Sequence, residues 1–157
     1  MKLVSNSSPL IFLAKLNFLE LLEKDQILIP CGVEKEILAK ESAEKDKLIR
    51  FFGEKNITIL SPKNKNIQSS SLGIGEIEVV NLALEQRATH ILMDDRRARS
   101  FAKIQNLEPH GTLWIILRAH KNHDLTKNQA RDLIYDLPSV GFRIDQEFLF
   151  QVLKKLD

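Results

Sequence analysis

A single cysteine, Cys31, excludes an internal disulfide framework, and its position after an apolar, strand-like run reads as a small core residue rather than a nucleophile. No Cys/His spacing matches a zinc module. His90 and His110 are scattered along the chain, and His120 and His123 share one solvated helical face with no third ligand. An excess of one charge sign is also lacking: 23 Lys and Arg stand against 21 Asp and Glu, for a formal net charge of +2. That balance describes a mixed-sign surface and confines any nucleic-acid contact to a local patch. No apolar run is long enough to cross a bilayer and no signal-peptide pattern is present, so a cytoplasmic protein without membrane partners is expected. There is no Walker loop, Gly73-Ile74-Gly75 lacks the remaining spacing of a dinucleotide fingerprint, and no serine sits in a nucleophile elbow. Internal repeats and low-complexity tracts are absent as well.

What remains is an ordinary globular composition, 157 residues with 43% hydrophobic content, enough for one core and one domain over residues 1–157. Strand-like and helix-like segments alternate. Strands are expected at 2–5, 26–30, 57–60, 90–93 and 107–110. Helices are expected at 8–22, 32–41, 44–53, 75–87, 95–105 and 112–121, followed by a closing helical segment over about 126–157. Ser61 to Ser71, rich in Lys, Asn and Ser, reads as a mobile loop. The alternation implies an α/β fold with a central parallel sheet between helical layers. In such sheets the carboxyl ends of the strands carry the chemistry.

Two of those ends stand out. Lys2-Leu3-Val4-Ser5-Asn6-Ser7-Ser8-Pro9 runs from an apolar strand into polar residues and a helix start, and Ile91-Leu92-Met93-Asp94-Asp95-Arg96-Arg97 does the same with two adjacent carboxylates. One acid suffices to cap a helix; a like-charged pair at a strand end is costly unless solvent or a hard divalent cation holds it. A surface salt-bridge cluster with Arg96 and Arg97 is the plainer reading, and the same arginines suit a phosphate backbone. On a helical wheel of the 75–87 segment, Ile77, Val80, Ala83 and Leu84 form an apolar arc, Glu78, Asn81 and Glu85 form the polar face, and Glu76 falls inside the apolar arc. A first-turn carboxylate there either complements the helix dipole or points at the sheet edge, where it needs a cation or donors. Glu36 borders an apolar stripe on its helix, with Glu34 as an alternative and a solvated face as the plain reading. Asn6-Ser7-Ser8 and Gly111-Thr112 each suit a turn that starts a helix.

The segments Ser5-Asn6-Ser7-Ser8-Pro9-Leu10-Ile11, Gly75-Glu76-Ile77-Glu78, Leu92-Met93-Asp94-Asp95-Arg96-Arg97-Ala98-Arg99 and Gly111-Thr112-Leu113, in this order and spacing, resemble the PIN domain, in a branch similar to the VapC toxins of type II toxin–antitoxin pairs. The resemblance implies a three-layer α/β/α sandwich whose acidic edge binds Mg²⁺ or Mn²⁺ and hydrolyses RNA phosphodiesters. It places the family's acidic positions on Asn6, Glu36, Glu76 and Asp94 or Asp95, with Ser8 and Thr112 as polar neighbours of the edge. Arg96, Arg97 and the Lys63–Lys65 loop are available to attract RNA. A toxin of this kind implies a cognate antitoxin that covers the edge, and a homodimer formed through closing helices rich in Phe142, Phe148, Leu149, Phe150, Val152 and Leu153. Asn6 departs from the pattern. An amide keeps an oxygen donor but removes a negative charge, so the alternative is a catalytically impaired PIN-fold module that binds RNA or a protein partner.

Overall fold

A computed structural model describes residues 1–157. Its five short strands are β1 Lys2–Ser5, β2 Gln26–Ile29, β3 Ile57–Ile59, β4 His90–Leu92 and β5 Glu108–His110, all parallel, in the spatial order β3-β2-β1-β4-β5. β1 lies at the centre and is covered on both faces, which is why Leu3, Val4 and Ser5 are all buried rather than alternating with exposed residues. Val4 pairs with Leu28 on one side and Ile91 on the other. The chain builds outward from β1 through β2 to β3, then returns to place β4 on the opposite side of β1. The order therefore reverses between β1 and β4, and the crevice beyond their carboxyl ends is the place where α/β sheets bind ligands.

Helices α1 Ser7–Leu16, α2 Cys31–Ala39, α3 Lys45–Phe52, α4 Ile74–Glu85, α5 Arg96–Ile104, α6 Thr112–Lys121, α7 Lys127–Asp136 and α8 Gln146–Lys154 flank the sheet and complete the expected α/β/α sandwich. The first helix is shorter than its leucine periodicity predicts. Asn17 adopts a left-handed conformation (φ 62°) and ends α1, with the Asn17 and Phe18 amides donating to Ala14 and Leu13, and a 3-10 turn at Leu19–Leu22 follows. Asparagine tolerates that conformation at little cost. Leu22 stays buried across the break, so hydrophobic spacing alone does not reveal it.

Loop 61–71 also differs from expectation, because the polar face of α4 anchors it. The Asn81 side chain accepts from the Ile67 amide at 3.0 Å and donates to the Ile67 carbonyl at 3.1 Å. Glu85 accepts from the Lys63 and Asn64 amides at 2.7 and 3.0 Å, and these donors hold its carboxyl below the usual range. Asn81 is thus buried while Leu84 is exposed, the reverse of the wheel's assignment.

A main core lies between the sheet and its helices, and a second, smaller one forms where α6, α7 and α8 meet around Leu113, Ile116, Leu133, Ile134, Val152 and Leu156. The closing segment therefore packs on its own chain. Phe142 sits edge-on to Phe12, with ring centroids 5.2 Å apart, whereas Phe148 and Phe150 remain exposed. No helix is long and apolar enough to cross a membrane.

Candidate functional site

β1 delivers Asn6 to the crevice. Its backbone is extended (φ −79°, ψ 174°), its amide donates to the Leu92 carbonyl at 2.9 Å, and Ser7 then begins α1. That hydrogen bond ties the ends of β1 and β4 together. The Asn6 side chain makes no capping bond, and Oδ1 is the one buried side-chain polar atom without a hydrogen-bond partner. A buried orphan acceptor costs about 1–3 kcal/mol, so its retention calls for an explanation.

That explanation lies across the crevice, at Gly75 in the first turn of α4. A Cβ built on Gly75 would lie 3.1 Å from Glu36 Oε2 and 3.6 Å from Asn6 Oδ1. The two oxygens thus face a common hollow that a side chain at 75 would fill. Asn6, Ser8, Lys35, Glu36 and Glu76 border this cleft of ≈650 Å³. Glu78, which the wheel assigns to a plain polar face, accepts from the Gly32 amide at 3.0 Å. It thereby pins the start of α2 to α4 and sets Glu36 opposite Glu76.

Glu76 Oε2 accepts from the Gly73 amide at 3.0 Å. Burial pushes its carboxyl above the usual range against that hydrogen bond, and the neighbouring Asp95 and Glu36 push it further. Three carboxylates therefore share one field. Glu76 also lines an adjoining hollow with Ser71, Asp95, Arg96, Arg97 and Ser100. Glu34, the alternative to Glu36, borders neither hollow.

The two aspartates after β4 diverge. Asp95 caps α5 through Oδ1, which accepts from the Ala98 amide at 2.8 Å, and stands on the Glu76 side. Asp94 turns toward β5 and α6: Oδ1 accepts from the Thr112 amide at 2.7 Å and Oδ2 from the Thr112 hydroxyl at 2.8 Å. Burial raises its carboxyl, opposed by both Thr112 bonds and by Arg99. Thr112 is fully buried, so its hydroxyl serves Asp94 and is closed to any ligand from solvent. Ser8 is half-buried on the cleft wall, and Arg96 and Arg97 are exposed on the rim.

The donor set suits a hard divalent cation. Glu36, Glu76 and Asp95 would supply carboxylate oxygens to such an ion, and the unpartnered amide oxygen of Asn6 a neutral fourth. Away from this edge, His90 and His110, twenty residues apart and unremarkable in sequence, meet on neighbouring strands. Recognising β4 and β5 as a parallel pair was the only signal available for finding them.

The family model DUF3368, described as a PIN domain, matches residues 2–157. No curated protein and no solved structure matches the chain.

Proposed function

The chain belongs to the PIN-domain family, a nuclease fold, and from that premise we propose that it is a Mg²⁺- or Mn²⁺-dependent endoribonuclease acting as the toxin of a type II toxin–antitoxin pair. The observation that carries this reading is the orphaned Oδ1 of Asn6, aimed at a hollow that Glu36 shares and that Glu76 and Asp95 extend. These four side chains would hold the cation. Bound there, it supplies a hydroxide at neutral pH and neutralises charge growing on the phosphate.

The remaining work falls to the chain itself. Glu76, its carboxyl raised by burial and by its acidic neighbours, is able to hold a proton and to lose it when a cation arrives. Arg96 and Arg97, which border the hollow shared by Glu76 and Asp95, and Lys35, which borders the cleft shared by Asn6, Glu36 and Glu76, would receive the RNA backbone and hold the scissile phosphate over the carboxylates. Ser8 lies within this cleft. Asp94 is a positioning residue: clamped to Thr112, it fixes the start of α6 against the end of β4 and so sets the direction of Asp95. An antitoxin segment covering the acidic edge, and pairing of two copies through the exposed Phe148 and Phe150 of α8, complete the reading.

One observation favours a second reading. The neutral amide at position 6 lowers the site's charge, which weakens cation binding and fits an impaired PIN-fold module that binds RNA or a protein. The test compares Mn²⁺ binding and RNA cleavage for the parent, Glu76→Gln and Asn6→Asp. The nuclease reading expects cleavage in the parent that EDTA and Glu76→Gln abolish and Asn6→Asp increases. A parent without cleavage, restored by Asn6→Asp, establishes the impaired module. Cleavage unchanged in Glu76→Gln overturns the site.

A further inference from the structure

The imidazoles of His90 and His110 meet where β4 and β5 pair. His90 opens β4 and faces Glu108 in register, while His110 closes β5 two residues further along, so all three side chains share one face of the sheet. His90 Nδ1 lies 3.0 Å from His110 Nε2 and 3.4 Å from Glu108 Oε2, and one ligand atom from each residue falls within 4.8 Å of the others. Around a tetrahedral zinc ion with bonds of about 2.0–2.1 Å, donors stand about 3.3–3.5 Å apart. His90 already has that spacing to Glu108, and its 3.0 Å contact with His110 opens by a few tenths of an ångström when the ion enters. Closing the remaining gap falls to Glu108, whose side chain is 64% exposed and free to turn.

We propose that His90, Glu108 and His110 form a binding site for one borderline d-block dication of the zinc class, chemically separate from the all-oxygen acidic edge. Two imidazoles and one carboxylate make a donor set that favours zinc, nickel or copper over magnesium, and three protein ligands leave a position for water. In the metal-free chain the two rings share one N–H across their 3.0 Å contact. Ligation needs the lone pair of each facing nitrogen, so that proton moves to the other nitrogen of its own ring. The ion would clip the three-residue edge strand β5 to β4. Gly111 and Thr112 follow His110 directly, and Thr112 holds Asp94, so the clip stiffens the segment that supports the acidic edge. The proposal stands independently of the nuclease reading.

The molecule carries its own reporter. Trp114 is the sole tryptophan, and its ring stacks on His110 with centroids 3.9 Å apart. Tag-free protein, freed of metal with EDTA and exchanged into millimolar Mg²⁺, is titrated with Ni²⁺ while Trp114 fluorescence is followed, and with Zn²⁺ by calorimetry. The expected result is quenching that saturates at one equivalent of Ni²⁺ and is reversed by competing Zn²⁺, with a higher Tm on adding Zn²⁺. His90→Gln should weaken both metals at least tenfold and abolish the Tm gain, while Glu76→Gln leaves both titrations at parental values. Should His90→Gln fail to fold in EDTA, Glu108→Gln at the exposed ligand takes its place and should also weaken Zn²⁺. Parental Zn²⁺ affinity in the ligand variant, no one-equivalent quench in the parent, or loss of the quench in Glu76→Gln instead would overturn the site.

Discussion

Replacing Gly75 by Ala sets two effects of one methyl group against each other. Gly75 is the second residue of α4, and only Gly141 among the glycines has a positive φ, so alanine fits the backbone without strain. Gly-to-Ala at a compatible position stabilises by about 0.4–1 kcal/mol, mostly by restricting the unfolded chain. In the metal-free protein the methyl meets Val33 Cγ2 at 3.5 Å and Asn6 Oδ1 at 3.6 Å, both ordinary contacts, and Glu36 Oε2 at 3.1 Å. Glu36 is exposed and its flexible carboxylate withdraws by a few tenths of an ångström at little cost. The Tm in EDTA should therefore hold or rise by roughly 1–4 °C. With a cation present the balance should invert, because the carboxylate that withdrew is a proposed ligand and the methyl stands between it and the Asn6 oxygen. Mn²⁺ affinity should fall by about 10–100-fold, the loss typical of disturbed metal-supporting positions, equivalent to about 1.4–2.7 kcal/mol. Calorimetric Mn²⁺ titration and thermal melts in EDTA read the two effects separately. Parental Mn²⁺ affinity in Gly75→Ala would refute placement of the ion between Asn6 and Glu36, and a marked loss of Tm in EDTA would refute the claim that the cleft has room.

Three further outcomes are expected. Asp25 is buried and accepts from both Arg118 guanidinium nitrogens, at 3.0 and 2.5 Å; Asp25→Ala leaves that largely buried cation without a carboxylate, held only over the Trp114 ring, and should cost about 3 kcal/mol in denaturant unfolding, with a loss below 1 kcal/mol counting against a desolvated pair. The raised carboxyl of Glu76 has a definite sign: the folded, metal-free chain holds a proton that the unfolded chain releases, so the stability from this group is complete below the ordinary Glu range and is lost as pH rises through the raised value. Over the same interval Mn²⁺ affinity should rise, because the cation displaces that proton. Asp94 is raised too and persists in Glu76→Gln, so the difference between parent and variant pH curves isolates Glu76; identical curves would show that Glu76 does not titrate there.

Local sequence determined the alternation of strands and helices and the parallel α/β class, because residue periodicity and cap chemistry act over a few positions and are readable in one dimension. The family resemblance was equally legible, carried by short segments at strand and helix ends. Where α1 stops was not, since Leu19–Leu22 continue to bury apolar surface after Asn17 turns the backbone. The same limit applies to Asp94 and Asp95, adjacent carboxylates with equal claims until Thr112, eighteen residues on, takes both oxygens of the first and leaves the second beside Glu76. Asn81 looked solvent-facing until loop 61–71 folded over it, and His90 and His110 became neighbours only when β5 paired with β4. Each of these outcomes depends on which distant segment arrives to satisfy a donor, an acceptor or a charge. Strand order and packing set that arrival, and neither is encoded in the spacing of residues along the chain.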